Sequence, residues 1–180
     1  MNEAPQEEGD WLYRVLRCGE TPQSLRSPPQ WLRDCVDGDP PKFRTELILA
    51  LSRGNTRTSP FLHFTRSLVR ACWLHAERRH LYSHNLVRVK AAAMAGPLLL
   101  DFTPGNKGRQ WLAEWSSDDL DDREFTENLG RARGFFEKDR EVVLLVRPVI
   151  DHIEYFDRAE RRWRPAQEWR DREAGGTQPG

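Results

Sequence analysis

The chain has 180 residues with 28 basic and 28 acidic side chains and a net charge of +0, which fits one domain able to bury an ordinary core and gives no overall attraction to nucleic acid or an anionic membrane. Cys18, Cys35 and Cys72 are odd in number and lack metal-ligand spacing, which excludes a disulfide framework and a zinc knuckle. The amino terminus is polar and acidic and no apolar run is long enough to cross a bilayer, so the expected address is cytoplasmic and no membrane partner is expected.

Residues 1–10 and 171–180 are polar and rich in Gly, Pro and Glu and are expected to be disordered around a single domain over 11–170. Trp11–Arg17 reads as a first strand, aromatic and aliphatic with two arginines. Pro28, Pro29, Pro40 and Pro41 bracket a loop holding one short helical turn at Trp31-Leu32. Phe43, Leu47, Ile48 and Leu51 follow helical spacing across 42–53, and Gly54 suits a C-terminal cap. A short buried strand is expected within Thr58–Thr65, entered through Pro60. Thr65 then caps a helix over 66–79 that puts Leu68, Ala71, Cys72 and His75 on one side.

Strands are expected at 85–90 and 98–102, and Asp118, Asp119, Asp121 and Asp122 mark the start of a helix carrying Phe125, Leu129, Ala132 and Phe136. Two strands, 141–146 and 149–156, are expected to pair through the Arg147-Pro148 break. Strands with a few interleaved helices and no βαβ repeat indicate an α+β class. The run Asp139-Arg140-Glu141 stands at the mouth of the apolar strand Val142–Val146. Side chains alternate along a strand, so Asp139 and Glu141 are expected to point the same way and Arg140 the opposite way. Two carboxylates on one face repel, yet suit a site that stabilises a developing positive charge or orients a hydroxyl. The plainer alternative is a pair of solvated charges closing the preceding helix.

Three segments come in a recognisable order: Tyr13-Arg14 on the first strand, Phe61-Leu62-His63-Phe64-Thr65-Arg66-Ser67 running into a helix, and Asp139-Arg140-Glu141-Val142-Val143-Leu144-Leu145. In these the chain resembles the ADP-ribosyltransferases of the arginine–serine–glutamate type, the toxin-like and ecto-enzyme branch. Members carry an arginine on the first strand, a Ser-Thr-Ser strand leading into a helix, and a glutamate heading a late Glu-Val-Leu-Leu strand. The chain departs from that pattern at His63, which stands at the first serine, and keeps a hydroxyl only at Thr65; Ser59 is the hydroxyl reached by a shifted register. Asp139 stands where better-known members have Glu or Gln.

The resemblance implies an ADP-ribosyltransferase-like split β-sandwich with peripheral helices, NAD as substrate without a metal, and a macromolecular acceptor, protein or nucleic acid. It implies that Glu141 stabilises the ribose oxocarbenium, that Arg14 holds the diphosphate or adjacent ribose, and that Thr65 or Ser59 orients Glu141 or the ribose. Asp139 would meet the acceptor nucleophile, and His63, Phe61 and Phe64 would line the nucleotide site. Each has a plainer reading: Arg14 as a charge on an edge strand, His63 as a core histidine, Thr65 as a helix cap, the phenylalanines as core. An inactive member of the fold that binds protein or nucleic acid is the alternative function.

Two other groups of residues carry less. His75, His80 and His84 lie close in sequence but not on one helical face, and no acid or cysteine recurs with them, so no metal is expected. The segment Arg158–Arg170 interleaves arginine with Trp163 and Trp169, a pattern that binds single strands or caps a sheet. Its acids dilute the charge, which favours the capping role.

Overall fold

The computed structural model describes residues 10–53, 59–77, 82–94, 99–103, 108, 127–134 and 140–170. It is an α+β chain built on one seven-stranded sheet in the order β4-β5-β2-β1-β3-β6-β7. The strands are β1 (Trp11–Arg17), β2 (Leu62–Thr65), β3 (Tyr82–Lys90), β4 (Leu99–Asp101), β5 (Glu141–Leu144), β6 (Ile153–Asp157) and β7 (Arg162–Pro165). Every registered pair is antiparallel. The helices are α1 (Gln30–Gly38), α2 (Pro40–Arg53) and α3 (Leu68–Glu77), and residues 127–134 are also helical.

The first strand has the bounds its composition predicts. The turn expected at Trp31 is instead a full helix, α1, whose Leu32 and Cys35 join the core. Pro29 at its N-cap and Pro40 at the start of α2 explain the break between the two helices, because proline suits a first helical turn but not a helix interior. The helix expected from 66 begins at Leu68; Gly54, residues 78–79 at its far end, both ends of the 118–136 helix and both termini lie outside the described residues.

The expected pairing of 141–146 with 149–156 does not occur. β5 lies between β2 and β4, whereas β6 lies between β3 and β7. Between them the chain bends, passes Pro148 and makes a short 3-10 turn at Ile150–His152. Leu144 and Ile153 therefore line the same core from strands separated by β2, β1 and β3. The two runs look alike because each pairs on both sides; neither carries a local signal for its partner.

The sheet has two packed faces. On one, α1, α2 and the 127–134 helix pack Leu32, Phe43, Leu47, Leu129 and Ala132 against Val143 and Leu145. Further along that face, α3 sets Ala71 against Tyr13 and Val15. The other face gathers Leu12, Leu16, Leu62, Phe64, Val142 and Leu144 and is closed by Leu25, Ala91 and Ala166. β1 meets β2 at a single registered pair among the described residues, Tyr13 opposite Thr65, yet runs beside β3 from Trp11 to Arg17. The sheet is thus pinched at its centre.

The carboxyl-terminal tryptophans cap the sheet. Trp163 lies 6.0 Å from the ring of Tyr13 and 5.3 Å from that of Phe156. The Arg88 guanidinium sits between Trp11 and Trp163, 4.0 Å and 4.4 Å from their ring centroids. Trp169 meets Tyr155 edge to face at 5.0 Å.

Candidate active site

Arg14 is among the largest fully buried side chains of the protein, 1% exposed in the middle of β1. A buried guanidinium demands polar partners. Its Nη2 donates to both carboxylate oxygens of Glu20, at 2.9 Å and 2.8 Å, and its Nη1 donates to the main-chain carbonyl of His63 at 3.0 Å. Glu20 Oε2 also accepts the backbone N–H of Arg17 at 2.9 Å, which holds the carboxylate against the end of β1. This contact lies where the pairing of β1 with β2 ends. Past Tyr13 and Thr65 the ladder stops, and the Arg14 side chain takes a carbonyl of β2.

The next strands supply the acid. Thr65 stands opposite Glu141 and His63 opposite Val143. Directly opposed residues share a face, so His63, Thr65 and Glu141 face together, along with Tyr13 of β1. His63 and Glu141 are diagonal neighbours on that face, a separation that long side chains span. His63 Nδ1 hydrogen-bonds to Glu141 Oε1, and its Nε2 lies 2.6 Å from Ser59 Oγ. All three residues are buried. Arg14 belongs to the opposite face with Leu12 and Leu16, its guanidinium 6.0 Å from the Phe64 ring centroid. The main chain of His63 joins the two halves of the site.

Glu141 is the first residue of β5, and its carbonyl accepts the N–H of Phe102. Arg140 before it has φ of 47°, the left-handed region that side chains seldom adopt. β5 therefore begins at Glu141, where the expected strand 141–146 begins, and Arg140 stands outside it in a turn. Asp139 itself lies outside the described residues. The bend is anchored by the N–H of Arg66, which donates to the Arg140 carbonyl at 3.1 Å.

Thr65 is buried and its Oγ1 accepts the N–H of Ser67 at 3.0 Å, while Ser67 Oγ accepts the N–H of Arg70 at 3.1 Å. The helix cap is thus Ser67, and Thr65 organises the turn before it. Phe61 packs edge to face with Phe43 at 6.1 Å in the helical core, and Phe64 lies in the opposite core. Neither ring is a free stacking platform.

Beside the acid lies a second charged group that the motifs did not mark. Arg66 Nε donates to Asp101 Oδ2 at 2.7 Å, and Asp101 Oδ1 accepts from the N–H and hydroxyl of Thr103 at 2.9 Å and 2.6 Å. Burial alone would lower the Arg66 pKa, but Asp10 and Asp101 outweigh it and raise it above its usual value. Among the described residues no group of three or more His, Cys, Asp and Glu is arranged to hold a metal. Glu20 is the site residue that sequence reasoning missed. Its only signal is its position, just past the strand and the positive-φ turn at Gly19, φ 88°.

No family model and no curated protein matches the chain. Among solved structures it is similar to one named EcPltA, at 17% identity over 88% of this chain and 83% of that chain, with a TM-score of 0.43. A likeness at that level carries no argument about fold or function.

Proposed function

We propose that the protein is a mono-ADP-ribosyltransferase that uses NAD as its substrate and modifies a macromolecule, protein or nucleic acid. One observation carries the reading: Glu141 on β5 and His63 on β2 are bonded to each other, and Arg14 on β1 bonds the His63 main chain. These are the three segments in which the chain resembles the family, drawn from distant parts of the sequence to adjacent central strands. The pinch between β1 and β2 fits the split sandwich that the resemblance implies.

The chemistry suits a carboxylate held this way. The bond from ribose C1′ to nicotinamide breaks, nicotinamide leaves, and positive charge develops on the ribose. Glu141, accepting a ribose hydroxyl proton in a hydrogen bond, would stabilise that charge where it grows. The acceptor nucleophile then bonds to C1′ and loses its proton, for which Asp139 is the assigned partner. Arg14 would bring positive charge toward the diphosphate, with Glu20 the competing anion.

A second reading rests on that same competition. Arg14 is already occupied by Glu20, and Glu141 by His63, which suits an inactive relative that keeps the arrangement only to hold its strands together. Incubation with labelled NAD, alone and with cell lysate, separates the two. Label transfer or NAD loss that falls on the order of 10²–10³-fold in Glu141→Gln supports the enzyme. Absence of turnover together with absence of NAD binding by calorimetry supports the inactive relative.

A further inference from the structure

The head of β5 sits inside a closed ring of contacts. From the β2 side the N–H of Arg66 donates to the Arg140 carbonyl at 3.1 Å, and from the β4 side the N–H of Phe102 donates to the Glu141 carbonyl at 3.0 Å. Arg66 follows directly after β2, and Asp101, the neighbour of Phe102, ends β4. The Arg66 guanidinium ties these two sides together, with Nε and Nη2 both 2.7 Å from Asp101 Oδ2. β2 and β4 stand two strand spacings apart, about 10 Å, and the arginine and aspartate side chains close that gap between them. Asp101 is buried, and its other oxygen is fixed by the N–H and hydroxyl of Thr103. The remaining arm of Arg66, Nη1, bonds Asp10 just before β1.

The guanidinium lies on the far side of the sheet from the carboxylate. Asp101 stands opposite Val142, which lines the core of Leu12 and Leu16, and directly opposed residues share a face. Glu141, next to Val142, points to the other face and bonds His63 there. Arg66 therefore reaches Glu141 through the main chain and not through its side chain. We propose that Arg66 is a positioning residue: its guanidinium clamps the Arg140-Glu141 main chain between β2 and β4 and so sets where the Glu141 carboxylate stands. Arg140, at φ 47°, holds a conformation that a side chain keeps only when its surroundings impose it. The clamp imposes it. The bond to Asp10 adds a tie to β1, the strand of Arg14, which has a single registered pair with β2 among the described residues. Arg66 thus holds the strand of Glu141 in place relative to the strand of Arg14.

The inference rests on Glu141 as the catalytic carboxylate, but one of its two readouts does not. Amide hydrogen exchange, followed residue by residue by NMR, reads the clamp itself. In Arg66→Met the Phe102 amide is expected to lose about 10-fold in protection, as for loss of a bond to a charged group. Val87 and Val89, buried in β3, are expected to exchange as in wild type. NAD turnover is expected to fall about 10–100-fold in kcat with KM for NAD unchanged, since the carboxylate is displaced while Arg14 keeps its place. Arg66→Lys keeps the charge but not the fork, and is expected to fall between wild type and Arg66→Met in both readouts. Phe102 exchange in Arg66→Met equal to that of wild type overturns the clamp, whatever the activity. Lost Phe102 protection with unchanged kcat overturns the link from the clamp to catalysis. Lost protection in a protein whose wild type turns over no NAD overturns the transferase reading and keeps the clamp. If Arg66→Met loses protection at Val87 and Val89 as well, the whole fold has opened, and Arg66→Lys decides by the same comparison.

Discussion

Glu20→Ala tests the Arg14 cluster most directly. The substitution removes the carboxylate that accepts two bonds from Arg14 Nη2 and one from the Arg17 amide, in a place where Arg14 is 1% exposed. Nη1 keeps the His63 carbonyl, but the buried counter-charge is gone. Breaking a buried ion pair from one side costs about 3–5 kcal/mol, because the remaining charge stays desolvated. In a domain of this size each kcal/mol moves the midpoint roughly 2–4 °C, so Tm is expected to drop by roughly 6–20 °C. Thermal and urea denaturation measure it.

The double variant Arg14→Met/Glu20→Leu is expected to recover much of the loss, since an apolar pair of similar volume replaces a buried ion pair at little cost. Inorganic pyrophosphate, offered to Glu20→Ala as a replacement anion, is expected to raise its Tm more than it raises that of wild type. A Glu20→Ala protein that melts within about 2 °C of wild type refutes the account of Arg14 as a charge that depends on Glu20. A double variant no more stable than the single one refutes the electrostatic explanation and leaves lost packing in its place.

Three more outcomes are expected. Asp139→Asn should leave hydrolysis of NAD near the wild-type rate while cutting label transfer to the acceptor, on the order of 10²-fold if its contact is made only in the transition state; equal losses in both assays rule out a role confined to the acceptor. Burial pushes the Cys72 thiol above its usual pKa although the residue is exposed as a whole, and the Arg158 charge partly offsets this. The thiolate is the reactive form, so the iodoacetamide rate at Cys72 should rise with pH through a midpoint above that of a free cysteine, and Arg158→Gln should move that midpoint further up. A midpoint that moves down contradicts the sign. At Gly108 an added Cβ would stand 2.6 Å from the Asp101 carbonyl oxygen and 3.0 Å from its carbon, both rigid backbone atoms, so Gly108→Ala should cost about 1–3 kcal/mol in urea denaturation; an unchanged midpoint shows that the backbone there yields freely.

What the sequence made legible is what short-range chemistry determines. Trp11–Arg17 reads as a strand because its residues other than Arg14 and Arg17 are aromatic or aliphatic, and the Phe43, Leu47, Ile48, Leu51 spacing gives α2 its buried side. Strand partners were illegible. Glu141–Leu144 and Ile153–Asp157 are near in sequence and similar in composition, yet the first pairs with β2 and β4 and the second with β3 and β7. The difference is made by how the whole sheet is wound, which no local pattern encodes. The candidate site divides in the same way. Glu141 and His63 were nameable as positions, but their bond depends on a diagonal across two strands joined by 78 positions of chain. Glu20 was not nameable, because a glutamate after a turn is an ordinary surface residue until a buried arginine meets it.

The bond from Arg14 to the His63 carbonyl gives the pinch between β1 and β2 a physical cause. In a continuous ladder the carbonyls of β2 beyond Thr65 would accept from backbone amides of β1, and the two strands would run side by side. A buried arginine beside that ladder needs acceptors of its own, since an unsatisfied guanidinium inside a protein is costly. It takes the His63 carbonyl with one arm and the Glu20 carboxylate with the other, and both bonds draw on groups at the opening of the strands. Leucine at position 14 would match Leu12 and Leu16 in the same core and leave no reason for the strands to part. The arginine therefore trades ladder bonds for a charged group at the centre of the sheet, on the strand beside β2, which carries His63 of the His63–Glu141 pair. That exchange is the physical argument behind the proposed site where β1, β2 and β5 lie side by side.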